Sequence, residues 1–179
     1  LNEYIATFLI NNPIEVYADE IRPVYLKQNG QLEEAINAYQ KLASLSAQNP
    51  LPHFFIADVY MKLDQIDNAL IELEKADIKA DLSVEYDFVE LHIVYGDLLV
   101  SIEDNDKAIA QYDKAYEMST NNISGLSEIK QRFSALNQNE KVLEIEAKIA
   151  ALEALKIESE SELTEEITVS NNDVQSEIN

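Results

Sequence analysis

Small and apolar residues recur along this 179-residue chain with a long period. Three segments share one order: a turn residue, a short polar stretch, and an alanine that opens an apolar stripe. The alanines are Ala35, Ala69 and Ala108, at spacings of 34 and 39 residues. A weaker fourth copy follows, with Val142 a further 34 residues along the chain. Self-similarity at a period of this length predicts an array of repeated structural units.

Each repeat is predicted to form two helices. Apolar or small residues lie four and seven positions after the alanine, and nine and mostly twelve positions before it, which is helical spacing on both sides. With only 3 Gly and 4 Pro, the chain has few of the residues that strand-rich folds need for their turns. The predicted helices lie near residues 14–28, 32–46, 52–63, 67–78, 84–102, 105–119, 124–136 and 140–156, after a helical segment at 2–10.

At the recurring positions the sequence resembles the tetratricopeptide repeat (TPR) family, whose pattern is a small residue, an aromatic, Ala, an aromatic, Ala and a closing Pro. The residues that match best are Ala57, Tyr60, Ala69 and Ala76, then Gly96, Ala108, Tyr112 and Ala115, with Pro13 and Pro50 as closing prolines. The resemblance implies an all-α fold, in which antiparallel helix pairs form a right-handed superhelical array, a TPR-like solenoid. It does not identify a function, because the family binds many unrelated partners.

Three departures from the pattern predict local irregularities. Pro23 follows Arg22 inside the first predicted helix, and the backbone hydrogen bond lost there predicts a kink or a break. The third unit has five extra residues, placed around 79–83, with Ser83 as the N-cap of the following helix. In the fourth unit Val142 and Glu146 replace the alanine and an aromatic residue, so this unit matches the pattern least well.

We expect three regions along the chain. Residues 1–13 are the end of a truncated or N-terminal helical unit, and residues 14–156 form about four TPR-like helix pairs with a C-terminal capping helix. Residues 157–179 are predicted to be an acidic, disordered tail, since from Glu158 onward there are seven acidic residues and no Lys or Arg. The alternative is a last helix that continues to about Glu166, because glutamate-rich segments favour helix.

The charge of the chain bounds its partners. There are 13 Lys and Arg against 34 Asp and Glu, which gives a formal net charge of −21. This charge repels phosphates and anionic headgroups, so we expect neither nucleic acid binding nor direct membrane insertion. Apolar runs also fall far short of the roughly 20 residues that span a bilayer. A basic or amphipathic protein or peptide is therefore the expected partner.

The sequence contains no catalytic or cofactor motif. Because there is no cysteine, thiolate sites are excluded, and three separate glycines cannot form a phosphate-binding loop. His53 and His92 each lie sixteen residues before a repeat alanine, where they could approach each other as metal ligands or serve as packing residues. Packing is favoured, since a metal site needs three or four converging ligands. We therefore expect no enzyme activity, no cofactor and no metal.

The TPR resemblance implies that the first helix of each pair lines a concave groove. The residues predicted to bind a partner there are Phe54, Asp58, Met61, Glu90, Ile93, Asp97 and Val100, continued by Ser127, Gln131 and Ser134. The alternative is that the apolar members are core contacts. One TPR subclass clamps the C-terminal carboxylate of heat-shock chaperones with Lys, Arg and Asn, and the acidic and apolar residues here argue against such a clamp. They favour a ligand in which Lys or Arg flanks apolar anchors.

The last helix has two interpretations. Ile145, Ile149 and Leu152 define a face for the preceding helix, while Leu143, Ala150 and Ala154 could stay uncovered. A capping helix in a monomer is favoured, and a weak dimer through this helix is the alternative. The predicted function is a non-enzymatic protein–protein interaction adaptor or scaffold. The alternatives are an assembly chaperone for a basic client and the regulatory TPR region of a larger enzyme.

Overall fold

The computed structural model describes the backbone of residues 15–82 and 88–177, and the side chains of residues 21–82 and 88–159. Within these ranges the chain forms eight α-helices and no strand, as the repeat pattern predicts. The helices are α1 (Glu15–Gln28), α2 (Leu32–Leu45), α3 (Leu51–Lys62), α4 (Ile66–Asp81), α5 (Val89–Ser101), α6 (Asn105–Met118), α7 (Ile123–Ala135) and α8 (Asn139–Glu177).

The helices divide into two compact units, Leu1–Gln111 and Tyr112–Asn179. In the first unit α1 packs on α2 and α3 packs on α4, while α2 contacts α3 and α4 contacts α5. In the second unit α7 packs on α8. Helices joined by turns of only three residues are thus neighbours in space, which is the arrangement of antiparallel helix pairs.

The turn between the two helices of a pair is the same in all four repeats. Each turn has one residue with a positive φ: Gly30 at 76°, Asp64 at 57°, Glu103 at 65° and Asn137 at 58°. The next residue donates its backbone N–H to the carbonyl five positions back, as in Gln31 to Leu26 (2.9 Å) and Gln138 to Phe133 (2.9 Å). This is the Schellman motif, which satisfies carbonyls that a helix end would leave unpaired.

The repeat alanines lie where the helices touch. Ala35, Ala69 and Ala108 are 0% exposed, as are Ala76 and Ala115 seven positions after the second and third of them. Large residues fill the space around these contacts, among them Tyr39, Leu73 and Tyr112, all nearly or fully buried. A larger side chain at an alanine position would overlap the facing helix, which explains why small residues recur at these positions.

The structure differs from the sequence-based expectations at two places in the first unit. No break occurs at Arg22, since α1 is continuous through Pro23. The Pro23 ring is fully buried, and this burial offsets the hydrogen bond that proline cannot donate. Helix α5 begins at Val89, later than the predicted residue 84, and Phe88 precedes it outside the helix. The predicted N-cap Ser83 and the predicted helix at 2–10 lie outside the described residues.

The C-terminal segment differs from the predicted disordered tail. The backbone of residues 157–177 continues α8, which is 39 residues long. The physical reason is that this segment holds neither Pro nor Gly and is rich in glutamate, so nothing in it stops a helix. In the part of the chain that the structure describes, no helix is long and apolar enough to cross a membrane.

Candidate functional site

The predicted partner-binding residues lie on α3 and α5 of the first unit. Glu90 and Asp97 on α5 are exposed, and Ile93 and Val100 between and beyond them are partly buried. Their spacing of three, four and three residues places them along one side of the helix. We call these four residues the α5 stripe. It alternates a carboxylate with an apolar side chain and offers both charge and apolar area to a partner.

Phe54 does not belong to the accessible surface. Its side chain is 9% exposed, and its ring centroid lies 5.6 Å from that of Phe55. A partner could therefore reach little of it, and the alternative that this residue is a core contact describes its position. The sequence pattern placed Phe54 on the correct helix, but the depth of a side chain depends on the packing around it.

Asp58 is already paired within the unit. Its Oδ2 lies 2.9 Å from the Lys27 Nζ of α1 and 3.5 Å from the Lys62 Nζ one turn along α3. Met61, on the same helix, is partly buried. The Lys27 ammonium also lies 5.5 Å from the centroid of the Phe55 ring. Two lysines therefore pair with Asp58, one of the predicted partner-binding carboxylates.

The sequence analysis missed Lys27, although the repeat register could have identified it. Met61 and Val100 lie eight residues before Ala69 and Ala108, and Lys27 lies eight residues before Ala35. The same register makes Val24, which is 38% exposed, the first-repeat equivalent of Asp58 and Asp97. Extending the groove pattern to the first repeat would therefore have placed a lysine on the predicted surface, although not its contact with Asp58.

The two histidines are bonded inside their own helix pairs. His53 Nδ1 lies 2.7 Å from Glu72 Oε2, and His92 Nδ1 lies 2.8 Å from Gln111 Oε1. In both cases the partner follows nineteen residues later, so the contact repeats with the fold. Across the described residues no group of three or more His, Cys, Asp or Glu side chains is placed to hold a metal ion. Both histidines therefore join the first helix of a pair to the second.

Two side chains of the first unit, His92 and Tyr39, each have a buried polar atom that lacks a hydrogen-bond partner among the described residues. His92 is 0% exposed, and its Nε2 has no hydrogen-bond partner among the described residues. Tyr39 is 1% exposed, and its hydroxyl likewise has no hydrogen-bond partner among the described residues. Burial, together with the negative charge of Asp58, raises the pKa of Tyr39 to about 12. Tyr39 thus stays a neutral phenol throughout the physiological range.

Three further predicted residues lie on α7 of the second unit. Gln131 and Ser134 are exposed, whereas the Ser127 hydroxyl donates to the Ile123 carbonyl at 2.8 Å. None of these side chains carries a charge, so this part of the predicted surface is polar but neutral. The carboxylates that could select a cationic partner are those of the α5 stripe.

Comparison with known proteins gives two matches to repeat families. A model described as "TPR repeat" matches residues 26–76, and one described as "Tetratricopeptide repeat" matches residues 89–122. These ranges include α2 with α3 and most of α4, and α5 with α6. No curated protein matches the sequence significantly.

Several solved structures are similar in fold. The crystal structure of MamA has a TM-score of 0.59 at 16% identity, and the match covers 88% of this chain and 89% of that one. The TPR-like repeats of a kinesin light chain homologue from Podospora anserina give 0.57 at 13% identity, covering 87% and 85%. The first TPR domain of Spaghetti, bound to the HSP90 peptide SRMEEVD, gives 0.54 at 18% identity, covering 68% and 92%. At these identities the likeness concerns the all-α TPR solenoid fold alone.

Proposed function

Because the chain belongs to the tetratricopeptide repeat family, we propose that it is a non-enzymatic adaptor that binds a protein or peptide segment on the first helices of its repeats. The observation that carries the proposal is the α5 stripe. Glu90 and Asp97 are exposed there, and Ile93 and Val100 keep part of their apolar surface accessible. Peptide-binding grooves combine these two features, with apolar contacts for affinity and charges for orientation.

The charge of the stripe defines the ligand class. The stripe has two exposed carboxylates, Glu90 and Asp97, one turn of the helix from Ile93. The whole chain adds a net charge of −21, which steers cationic segments toward the protein. The proposed ligand is a basic or amphipathic segment whose apolar side chains contact Ile93 and Val100 while Lys or Arg lies beside Glu90 and Asp97.

The ligand should differ from that of the similar Spaghetti domain, which binds the peptide SRMEEVD. That peptide ends in acidic residues, whereas this chain presents Asp97 and Glu90 on its first-helix surface. Like charges in one interface cost free energy, so an acidic C-terminal peptide would be repelled here. The same fold would thus serve ligands of opposite charge.

Selection from a random peptide display library against the full chain tests the proposal. We expect the selected peptides to be basic and to contain apolar residues. Their affinity for the variant Asp97→Lys, measured by calorimetry, should fall at least about tenfold, because one attractive charge becomes repulsive. The matched control is Glu33→Lys on α2, which makes the same charge change at an exposed position outside the stripe.

Two results would contradict the proposal. The first is selection of acidic peptides from the library. The second is an equal loss of affinity in Asp97→Lys and Glu33→Lys, which would mean that the peptides respond to total charge and not to the stripe. Circular dichroism of both variants should match the parent chain, since both residues are on the surface.

A further inference from the structure

The outer face of α8 is a second apolar surface, separate from the α5 stripe. It consists of Leu143, Ala147, Ala150, Ala154 and Ile157, all of which are exposed. The two large members are 66% and 68% exposed, respectively, although they are Leu and Ile. The five positions step by four, three, four and three residues, which is the seam of a heptad coiled coil. Such a seam winds slowly around the helix axis and fits a second helix that coils around the first.

The opposite face of α8 already has its partner. Ile145 is 0% exposed, and Ile149 and Leu152 are partly buried. Helix α7 packs against α8, but with 13 residues it is about 20 Å long, whereas the 39 residues of α8 extend to about 58 Å. From Glu153 to Ser159 every side chain is exposed. The outer face is therefore uncovered along a helix that extends well past α7.

Glutamates flank the outer face on both sides, and two of them are paired with lysines. By helical register it is bordered by glutamates on both sides: Glu140, Glu144 and Glu158 on one, and Glu146 and Glu153 on the other. Glu146 lies 3.2 Å from Lys130, and Glu144 lies 3.1 Å from Lys141. The hydrogen bond from Lys141, followed by that from Tyr116, lowers the pKa of Glu144, so this border stays ionised at neutral pH.

Two of the three lysines of α8, Lys141 and Lys148, contact α6 and not the outer face. The Lys141 and Lys148 ammonium groups lie 4.9 Å and 4.5 Å from the centroid of the Tyr116 ring on α6. Lys141 also pairs with Asp113 at 3.2 Å. These contacts hold the two cations away from the outer face, which leaves the apolar seam between rows of carboxylates.

We propose that the outer face of α8 docks a basic amphipathic helix of a partner protein. Apolar residues of that helix would contact Leu143 and Ile157, and its Lys or Arg residues would lie along the two glutamate rows. A second copy of this chain fits poorly, because in either orientation glutamates would face glutamates. The proposal goes beyond the α5 stripe, and it gives the adaptor a second surface through which two partners could be held by one chain.

Fluorescence anisotropy with the full chain and a designed probe tests the proposal. The probe is a 21-residue labelled peptide with Leu at the a and d positions of three heptads and Lys at e and g. We expect the double variant Leu143→Ser, Ile157→Ser to weaken its binding at least about tenfold, since both large apolar contacts of the outer face would be lost. The matched control is Ile71→Ser, Ile78→Ser on α4, where the side chains are 50% and 57% exposed.

A second set of variants tests whether the glutamate rows select the charge of the bound helix. Glu153→Lys should weaken the Lys-flanked probe and strengthen a probe with Glu at e and g, whereas Glu117→Lys on α6 should change both equally little. Because the probe is also of the class proposed for the α5 stripe, both sets of variants are repeated in the Asp97→Lys background. The loss caused by Leu143→Ser, Ile157→Ser should persist there, whereas a loss caused by Asp97→Lys alone reports on the α5 stripe, so failure of the two proposals gives different results. All substituted side chains are exposed, including that of Asp97 on α5, so the variants should fold.

Three outcomes would overturn the proposal. Equal binding of the Lys-flanked probe to the parent and to Leu143→Ser, Ile157→Ser would show that the outer face is not the site. If the parent chain bound the Glu-flanked probe as tightly as the Lys-flanked probe, the glutamate rows would not select the charge of the partner. Sedimentation equilibrium that shows a dimer of the parent, lost in the same double variant, would assign this face to a second copy instead.

Discussion

The second and third helix pairs hold a histidine at the same repeat position but bond it to different side chains. In α3 and α4 the partner of His53 is Glu72, which also accepts a hydrogen bond from Lys75. In α5 and α6 the partner of His92 is Gln111, whose amide donates to Asp77 at 3.1 Å. The difference follows burial, because the His53 side chain is 15% exposed whereas that of His92 is 0% exposed.

The fourth repeat extends the comparison. At the two equivalent positions it has Leu126 and Ile145, both 0% exposed. One site in the repeat thus accepts a carboxylate beside a partly exposed histidine, a neutral amide beside a fully buried histidine, or an apolar pair. An ionised group is costly to bury, and a neutral amide less so, while an apolar pair leaves no polar group to satisfy. The fold requires the site to be filled but does not prescribe its chemistry.

Substitution of the side chains that bond the two histidines should give the largest change in the free energy of unfolding. Gln111→Glu buries a carboxylate close to Asp77, and we expect it to lower the free energy of unfolding by about 2–4 kcal/mol at neutral pH. The reverse change, Glu72→Gln, retains an acceptor for His53, whose side chain is more exposed than that of His92, and should cost less than about 1 kcal/mol. Urea unfolding of both variants measures the difference. Equal losses would show that burial does not explain the choice of partner.

Tyr39 occupies another position that recurs in the repeats, and its buried hydroxyl group can be removed by substitution. It lies four residues after Ala35, where the second repeat has Leu73, and its buried hydroxyl has no hydrogen-bond partner among the described residues. Removal of this hydroxyl in Tyr39→Phe should raise the free energy of unfolding by about 1 kcal/mol, because a buried polar group without a partner is costly. Thermal and urea unfolding measure the gain. A loss of stability would mean that a bound water satisfies the hydroxyl.

The same variant carries a pH signature. The pKa of Tyr39 is about 12 in the folded chain against 10.0 for an ordinary tyrosine, so the unfolded chain loses this proton first as the pH rises. The contribution of Tyr39 to stability is therefore complete below pH 10 and is lost between pH 10 and 12. The advantage of Tyr39→Phe over the parent should widen across that interval. Tyr60→Phe, at a partly buried position, serves as the matched control.

The smallest expected effect concerns the turns between paired helices. Glu103 has a φ of 65° at the position where the first repeat has Gly30. A left-handed backbone strains a residue with a Cβ, so Glu103→Gly should stabilise the chain by about 0.5–1 kcal/mol. Asn137→Gly should gain less, because asparagine tolerates this conformation better. Unfolding midpoints of the two variants give the ranking, and destabilisation by Glu103→Gly would argue against the strain.

Much of the fold could be predicted from sequence because its information is local and periodic. The alanines at Ala35, Ala69 and Ala108 recur at close to one spacing, and each reports the same helix contact. The turn before each alanine is likewise a short-range motif closed by its own backbone hydrogen bonds. The exceptions, Pro23 within α1 and the long α8, are places where a local rule on helix breaking or on disorder was outweighed by burial or by helix propensity.

The candidate site was less predictable, since exposure and pairing are not periodic. Helical register placed Phe54, Asp58 and Asp97 on the first helices, but it could not show that the first is buried. Lys27 reaches Asp58 from a helix 31 residues earlier, a contact that depends on how the helices come together. For the same reason the sequence could not tell which face of α8 would remain uncovered.

Periodicity in the chain was therefore sufficient to establish the helix pairs, their turns and the small residues at their crossings, because each of these is repeated and is specified within a few residues. The arrangement of helices in three dimensions selected the accessible carboxylates of α5, the partner of each histidine and the apolar outer face of α8. These features depend on which side chains from distant segments share a neighbourhood, and such proximity arises only when the helices pack.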